Sequence, residues 1–488
     1  MEIKNFAEIK NLLLNNKTVK QTILKNTFWL TVTEGISKLA KLALLIYVAR
    51  ILGATEYGKF TFALAFVSLF IIFFDLGLSQ ITTREISREK EKEKEFSAIF
   101  SLKILLGLGT SFLILIISFF TNFDIVIQKI IWILAACFFV ENITEIIVAF
   151  FRARQKMEYE SLTKILGSLT LVGVGLIGLF YFPSILNLSY SYLLGAFVAL
   201  IFALIIFQIK IQKISFSLDK SIWKKYLIVS WPLALVAILS TFYNQIDSVM
   251  MGYLGQFTET GWYNAAYRII WPTLIPITLI SISFFPVLSK YFKESKEKLQ
   301  NVWNRQIEVM ILLAFPLLIG GMVLAPKIIS FIYDQSFAPS ILAFQILIIM
   351  AGIIFLYSAF YQVLIAANQQ RNIFWAVLSG AIINITLNLI LIPKFSLYGA
   401  AFSTVITHLL VFFFLFRFTL KFTPVNPFNS KIVLTFIGAI FSSVAMYLAI
   451  IQPQIYNLHV IISILTGIVV YLTVIFVFKY MVKYFGHR

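Results

Sequence analysis

The chain has 488 residues, 60% of them hydrophobic and only 13% charged, yet its formal net charge is +18. Soluble domains are about 45–50% apolar and about 25% charged, so a water-soluble globule is excluded and a bilayer is the fitting solvent. The single cysteine, Cys137, excludes an intrachain disulfide and any zinc site built on cysteines.

In chain order, residues 1–20 read as an amphipathic helix lying in the membrane interface rather than as a signal peptide. Met1, Ile3, Phe6, Ile9, Leu12 and Leu13 share one face, with Lys4, Lys10 and Lys17 off it. A membrane helix needs roughly 20 apolar residues. That measure predicts about fourteen spans, near 27–52, 57–80, 97–120, 128–151, 160–182, 188–209, 225–252, 258–289, 305–325, 338–366, 371–392, 396–418, 430–451 and 456–478. The expected fold class is all-α, a polytopic membrane protein. Its parts are a cytoplasmic segment 1–26, an N-lobe 27–209 (spans one to six), a linker 210–224, a C-lobe 225–418 (spans seven to twelve), two further spans in 430–478 and a tail 479–488. No connection is long enough for a soluble domain; the longest, 81–96, reads as a solvated charge run.

With the N-terminus placed inside, 30 of the 40 Lys and Arg fall at cytoplasmic ends, five at outer ends and five within spans. This bias orients the chain with both termini in the cytoplasm. The +18 is therefore an orientation signal rather than a nucleic-acid signature. Five acids balance the five cations within the spans, and the expected arrangement keeps cations on spans one and eight apart from acids on span four.

An internal repeat is visible. Leu52-Gly53-Ala54-Thr55-Glu56-Tyr57-Gly58 links spans one and two, and Leu254-Gly255-Gln256-Phe257-Thr258-Glu259-Thr260-Gly261 links spans seven and eight. Six spans separate the copies, so the halves share one orientation as pseudo-two-fold parallel repeats. Gly53-x-x-x-x-Gly58-Lys59 imitates a phosphate-binding loop, but Phe60 stands where Ser or Thr must hold magnesium, and both neighbours are membrane spans. ATP-driven transport by this chain alone is excluded.

Ionisable residues at membrane depth normally face a cavity or a partner. Glu34, Lys38 and Lys41 in span one share one helical face, either as a self-satisfied Glu34–Lys38 pair or as the wall of a wet cavity with Lys41 left to meet an anion. Glu141 and Glu145 in span four form a proton or cation site, or pair with Lys103 or Lys164. Asp75, before Gly77, caps or hinges. Asp247 in span seven and Arg268 in span eight read as an ion pair or as separate functional groups. Eleven of the 12 prolines follow residue 230, so kinked helices concentrate in the second half. Asn384, Asn388, Thr404 and Thr407 offer hard oxygen ligands for a small cation, or interhelical hydrogen bonds. No two of the three His share a metal-binding spacing.

The runs Asn26-Thr27, Tyr47-Val48-Ala49-Arg50-Ile51-Leu52-Gly53, Tyr57-Gly58, Phe74-Asp75-Leu76-Gly77-Leu78, Arg84-Glu85, Asn384 to Pro393 and Gly399-Ala400-Ala401 resemble the polysaccharide repeat-unit (O-antigen) flippases of Wzx type. These belong to the multidrug/oligosaccharidyl-lipid/polysaccharide exporter superfamily. The resemblance implies two six-helix lobes plus two C-terminal helices, flanking a cavity that opens alternately to either side. The cargo it implies is an oligosaccharide on undecaprenyl pyrophosphate, carried to the outer leaflet of the plasma membrane. Related lipid II flippases use cations in spans one and eight, and Lys38, Lys41 and Arg268 match them in placement. Those relatives also hold Na⁺, and Asp247, Asn384, Asn388, the Ala400 carbonyl and Thr404 match that pattern, with Asn388 where the relatives carry a carboxylate. Na⁺ or H⁺ is the implied coupling ion, and no other cofactor is expected. The implied partners are membrane lipids and the polysaccharide polymerase machinery, with no nucleic acid, and the implied state is a monomer.

The main competing function is multidrug export within the same superfamily, which would want an acidic or aromatic cavity. A membrane polymerase or ligase would need a large outer catalytic loop, and the outer loops are short. A non-transporting scaffold would leave the buried charges without purpose.

Overall fold

The computed structural model describes residues 18–485 except 122 and 212, and all regular structure among them is helical. The interfacial helix expected over 1–20 lies outside the described residues up to position 17. Among the described residues, eleven helices are long and apolar enough to cross a membrane, or twelve when the bent pair Leu24–Leu69 and Ile71–Arg88 counts as one span.

Two of these helices are far too long for one crossing. Val19–Leu69 has 51 residues and Gln370–Phe422 has 53. At about 1.5 Å per residue each would run over 75 Å, against a hydrocarbon layer of about 30 Å. The backbone leaves helical geometry at Gly53 (φ 75°) in the first and at Ser396 (φ 52°) in the second. Past Ser396 the chain doubles back, so that a side chain at position 399 would collide with the Leu391 carbonyl. Each long helix therefore supplies two spans, which accommodates the fourteen expected crossings.

The chain divides into two compact units, Met1–Val249 and Met250–Arg488, with the boundary inside the helix Lys220–Tyr253. The repeat recurs in their internal geometry. Gly53 and Gly255, the glycines of the two matching linkers, have left-handed φ of 75° and 74°, a region that costs an L side chain about 1–2 kcal/mol. The turn from span four to five has Gln155 left-handed, with Gln155 N–H donating to Arg152 O and Lys156 N–H to Phe151 O. The turn from span ten to eleven repeats it, with Asn368 left-handed, Asn368 N–H on Ile365 O and Gln369 N–H on Leu364 O. Both are Schellman closures that satisfy the last carbonyls of a helix.

Packing repeats as well. In the first unit, rings from spans three, four and six meet: Phe96–Phe207 at 4.9 Å and Phe96–Phe150 at 5.0 Å between centroids. In the second, the equivalent spans nine, ten and twelve bring Trp303 to 5.3 Å from Phe360, and Phe360 to 5.7 Å from Phe416. The two C-terminal spans, Ser430–Ile450 and Val460–Phe485, pack Met446, Ile450, Tyr471 and Ile475 around Leu324 of span nine.

The 81–96 run is docked rather than loose. Leu78–Arg88 is helical and Lys90–Glu95 forms a 3₁₀ turn. Glu93 pairs with Arg154, and Lys225 Nζ donates to Glu95 at 2.8 Å. The charges that looked free for solvent thus tie the start of span seven to the start of span three and the end of span four.

Spans five and six touch backbone to backbone. A Cβ at Gly195 would stand 2.7 Å from Gly167 O, and one at Gly167 would stand 2.9 Å from the Ala199 Cβ. Membrane helices associate by such close approach because lipid offers no hydrophobic drive. Gly195→Val is expected to force the pair apart and destabilise the protein by about 1–3 kcal/mol, read as a lower unfolding midpoint in detergent.

Candidate functional site

The polar residues of the first unit converge on a cavity of about 570 Å³. Span one contributes Thr33, Glu34, Ser37, Lys38 and Lys41, the face that helical spacing predicts. Lys38 Nζ lies 2.6 Å from Glu34 Oε2, with side-chain exposures of 71% and 50%, so the pair forms and still fronts open space. Among the described residues Lys41 has no ion pair. Both readings of span one therefore hold together: the pair exists, and it lines a cavity.

Span two is broken where it meets this cavity. Ile71–Asp75 ends with Leu76 (φ 47°) and Gly77 (φ 78°) left-handed, and Leu78–Arg88 restarts the helix. Asp75 lines the cavity and caps the restart: its Oδ1 accepts from Ser79 N–H at 3.2 Å and from Ser79 Oγ at 2.6 Å. The same oxygen accepts a close bond from Lys103 Nζ, which also donates to Ser79 Oγ at 3.1 Å. Lys103 is fully buried behind the wall. Span four braces the break, with Asn142 Nδ2 donating to Phe74 O at 2.8 Å.

Glu141 and Glu145 of span four front the same space as Lys38 and Lys41, so the expected separation of span-one cations from span-four acids does not hold. Spans one and four are neighbours within one lobe, and their polar faces meet. Neither lysine proposed as partner for these acids takes that role. Lys103 goes to Asp75, and Lys164 Nζ donates to Glu160 Oε1 at 2.8 Å. Glu145 instead accepts from Arg152 Nη1 at 2.7 Å, while Arg152 holds the buried Glu160 through Nε at 2.8 Å and Nη2 at 2.7 Å. Glu141 has no ion pair among the described residues. Nearer the start of span one, buried Lys25 donates to Glu158 at 2.8 Å and to the Gln155 carbonyl at 3.3 Å, pinning span one to the four–five turn.

Counting the wall and the groups bonded directly behind it, Lys38, Lys41, Lys103, Lys164 and Arg152 face Glu34, Asp75, Glu141, Glu145 and Glu160. The cavity is charge-balanced and not a cationic cage. An anion entering it can meet Lys41, which among the described residues has no ion pair to give up, and Glu141 offers the complementary place for a cation. Arg152 is a site residue that sorting charges by topology misses, and Lys164, expected as a partner of Glu141 or Glu145, bonds Glu160 instead; the Glu160–Lys164 spacing of four is the sequence signal for that pair.

The second unit holds the remaining candidates. Asn388 Nδ2 donates to Asn384 Oδ1 at 3.1 Å, and Thr404 Oγ1 donates to Ala400 O at 2.9 Å. Tyr263 OH lies 3.4 Å from Thr404 Oγ1. All four candidate groups of spans eleven and twelve are buried. These two spans approach closely, since a Cβ on Gly380 would meet Val411 Cγ2 at 2.7 Å and Thr407 Cγ2 at 3.3 Å. Asn384 and Asn388 are joined to each other within span eleven, and Ala400 and Thr404 within span twelve. Arg268, in the same unit, is half-buried on span eight, and Asp247 is buried on span seven in the first unit.

A helical, multi-pass membrane protein with a charged cavity at membrane depth belongs to the class of transporters rather than enzymes. The chain belongs to the polysaccharide biosynthesis protein family, whose model matches residues 23–292; a second model, MatE, matches 232–390. It is 25% identical over 374 residues to a probable low-salt glycan biosynthesis flippase of Haloferax volcanii, covering 74% of this chain and 76% of the relative. It is 25% identical over 411 residues to a putative O-antigen transporter of Shigella flexneri, covering 78% and 94%. Among solved structures, the lipid II flippase MurJ in an inward closed conformation shares the fold with a TM-score of 0.76 at 18% identity, covering 94% of this chain and 99% of that one. An inward-facing multidrug resistance MATE family transporter of the MOP superfamily follows with 0.66 at 16%, covering 81% and 97%. The resemblance to the Wzx-type polysaccharide flippases is borne out.

Burying Lys103 is tolerable only because Asp75 meets it. Asp75→Ala is expected to destabilise the protein by about 3–5 kcal/mol, and adding Lys103→Met to recover much of that loss. Thermal unfolding of the single and double variants checks it.

Proposed function

We propose that this protein carries an oligosaccharide linked to undecaprenyl diphosphate from the inner to the outer leaflet of the plasma membrane, by alternating access, with both termini in the cytoplasm. The observation that carries the reading is a cavity at membrane depth in which Lys41 stands without an ion pair beside the Glu34–Lys38 pair. A diphosphate entering low-dielectric surroundings needs such cations, and charge-assisted bonds to it are stronger there than in water. Arg268 is the cation we assign to the second lobe. The sugar occupies the wet part of the path while the prenyl tail stays in lipid, which needs no protein contact at all. The names of the Haloferax and Shigella relatives support cargo of this kind.

Coupling to Na⁺ belongs to the same proposal, with Asp247, Asn384, Asn388, the Ala400 carbonyl and Thr404 as ligands. Replacing a carboxylate by Asn388 leaves one formal charge in that set, which weakens the site relative to one with two. Proton coupling is the alternative, and Glu141 is the group that fits it. The polymerase machinery that consumes the exported unit is the proposed protein partner of a monomeric transporter.

Export of cationic drugs is the second reading, favoured by the carboxylates Glu34, Glu141 and Glu145 on the same wall. Deletion of the gene separates the two: loss of surface glycan supports the first reading, and loss of drug resistance alone supports the second.

Lys41→Gln and Arg268→Gln are each expected to leave membrane insertion intact and to cut glycan export at least about tenfold, the cost of roughly one charge-assisted contact. Full export by the double variant would end the cationic role. Glycan flipping in proteoliposomes is expected to rise with a Na⁺ gradient and to lose that response in Asp247→Ala. A rate indifferent to Na⁺ in both proteins would remove the coupling site.

A further inference from the structure

Span eight carries three rings at i, i+4 and i+8 on one helical face: Tyr263, Tyr267 and Trp271. They stack as a ladder, with centroids 6.0 Å apart at 18° and then 6.5 Å apart at 21°. The ladder is not uniformly buried. Tyr263 is packed beside Thr404, whereas Trp271, at the other end, is 61% exposed.

The depth of Trp271 makes that exposure informative. Along Phe257–Thr273 it lies fourteen residues, about 21 Å, from the outer end of the span. That is well past the interfacial belt where tryptophan normally sits, in a hydrocarbon layer about 30 Å thick. Among the described residues its Nε1–H has no acceptor. Lipid tails supply none, so the donor must meet water or a polar ligand. The surroundings fit a neutral polar ligand. Tyr267 and Tyr361 lie within electrostatic reach of Tyr357, whose hydroxyl is 3.2 Å from His408 Nδ1. The Tyr357 and His408 rings stack at 6.0 Å and 9°. One region of the second lobe thus combines flat apolar ring faces with tyrosine hydroxyls and an indole donor. Pyranose sugars present the complementary pair of features: a C–H face and a rim of hydroxyl or acetamido oxygens.

We propose that Trp271, supported by Tyr267, is a saccharide subsite: a sugar of the cargo stacks on the exposed indole face and accepts the Nε1–H bond. This rests on reading the cargo as a lipid-linked oligosaccharide, and it assigns the sugar a contact separate from the lysines that hold the diphosphate.

Binding to the purified protein in nanodiscs tests it, with two fluorophore-tagged short-chain polyprenyl diphosphates. One is bare, and the other is extended to the full oligosaccharide by the host's glycosyltransferases. Wild type is expected to bind the extended probe about five- to tenfold more tightly than the bare one, the scale of a good aromatic contact. Trp271→Leu, which keeps bulk but removes the ring, is expected to erase that gain to within about twofold while leaving the bare probe unchanged. Trp271→Phe keeps the ring face and is expected to retain about half of the gain in fold terms. Lys41→Gln weakens both probes. A gain that survives Trp271→Leu, or wild type without any gain, overturns the subsite. Wild type that binds neither lipid, or binds ethidium in their place, overturns the cargo reading and the subsite together.

Discussion

Lys103 holds a full positive charge where water does not reach, and Asp75 is the oxygen that makes this tolerable. Moving an ammonium group from water into such surroundings costs several kcal/mol even after relaxation, so the partner must be present and well aimed. Asp75 is aimed by the break in span two, where two left-handed residues turn the chain and free its carboxylate to cap the next helix. The break is in turn braced by Asn142 from span four. One ion pair therefore fixes the bend of span two, the register of span three against it, and one wall of the cavity. The remaining charges follow the same constraint. Arg152 is shared by two carboxylates, Lys38 is met by Glu34, and Lys25 is met by Glu158. Against that background Lys41 and Glu141 stand out, and they front the same space.

Much of the fold was legible in the sequence because membrane burial imposes a length rule. Apolar runs of about 20 residues fall where the helices are, and the turn glycines of the two matching linkers both take a positive φ near 75°. Two features resisted that reading. Ser396 takes a left-handed φ with no glycine to announce it, and only Pro393 and Lys394 mark the break between the two apolar runs. The 81–96 run looked like solvated loop because charge pattern does not reveal whether a partner is waiting. Its partners, Arg154 and Lys225, lie about 60 and 130 residues further along the chain.

The site was legible only along single helices. Glu34, Lys38 and Lys41 could be placed on one face because helical period alone decides it, and Asp75 could be read as a cap from the glycine that follows. Pairings between helices were another matter. Glu145 had two plausible lysines on neighbouring spans and bonds to neither, because an arginine seven residues along its own helix reaches it first. Total charge in the spans is balanced, as the sequence implies, but its separation into a cationic and an acidic region is not what packing produces. Helices that neutralise each other's ionised groups must stand side by side, so balance and segregation are incompatible within one lobe.

The backbone contact between Gly167 and Gly195 limits how this cavity can adapt. Both glycines line it, and the two helices that carry them have no room to slide closer and no side chains to retract. That wall behaves as a rigid plate. Span two, which also lines the cavity, is jointed at Leu76 and Gly77; the joint is held by the Asp75–Lys103 bond and by close packing of Gly77 on Ser230, whose carbonyl would lie 3.0 Å from a Cβ there. A change in the width of this cavity would thus come from resetting the joint, with the five–six contact as the fixed reference.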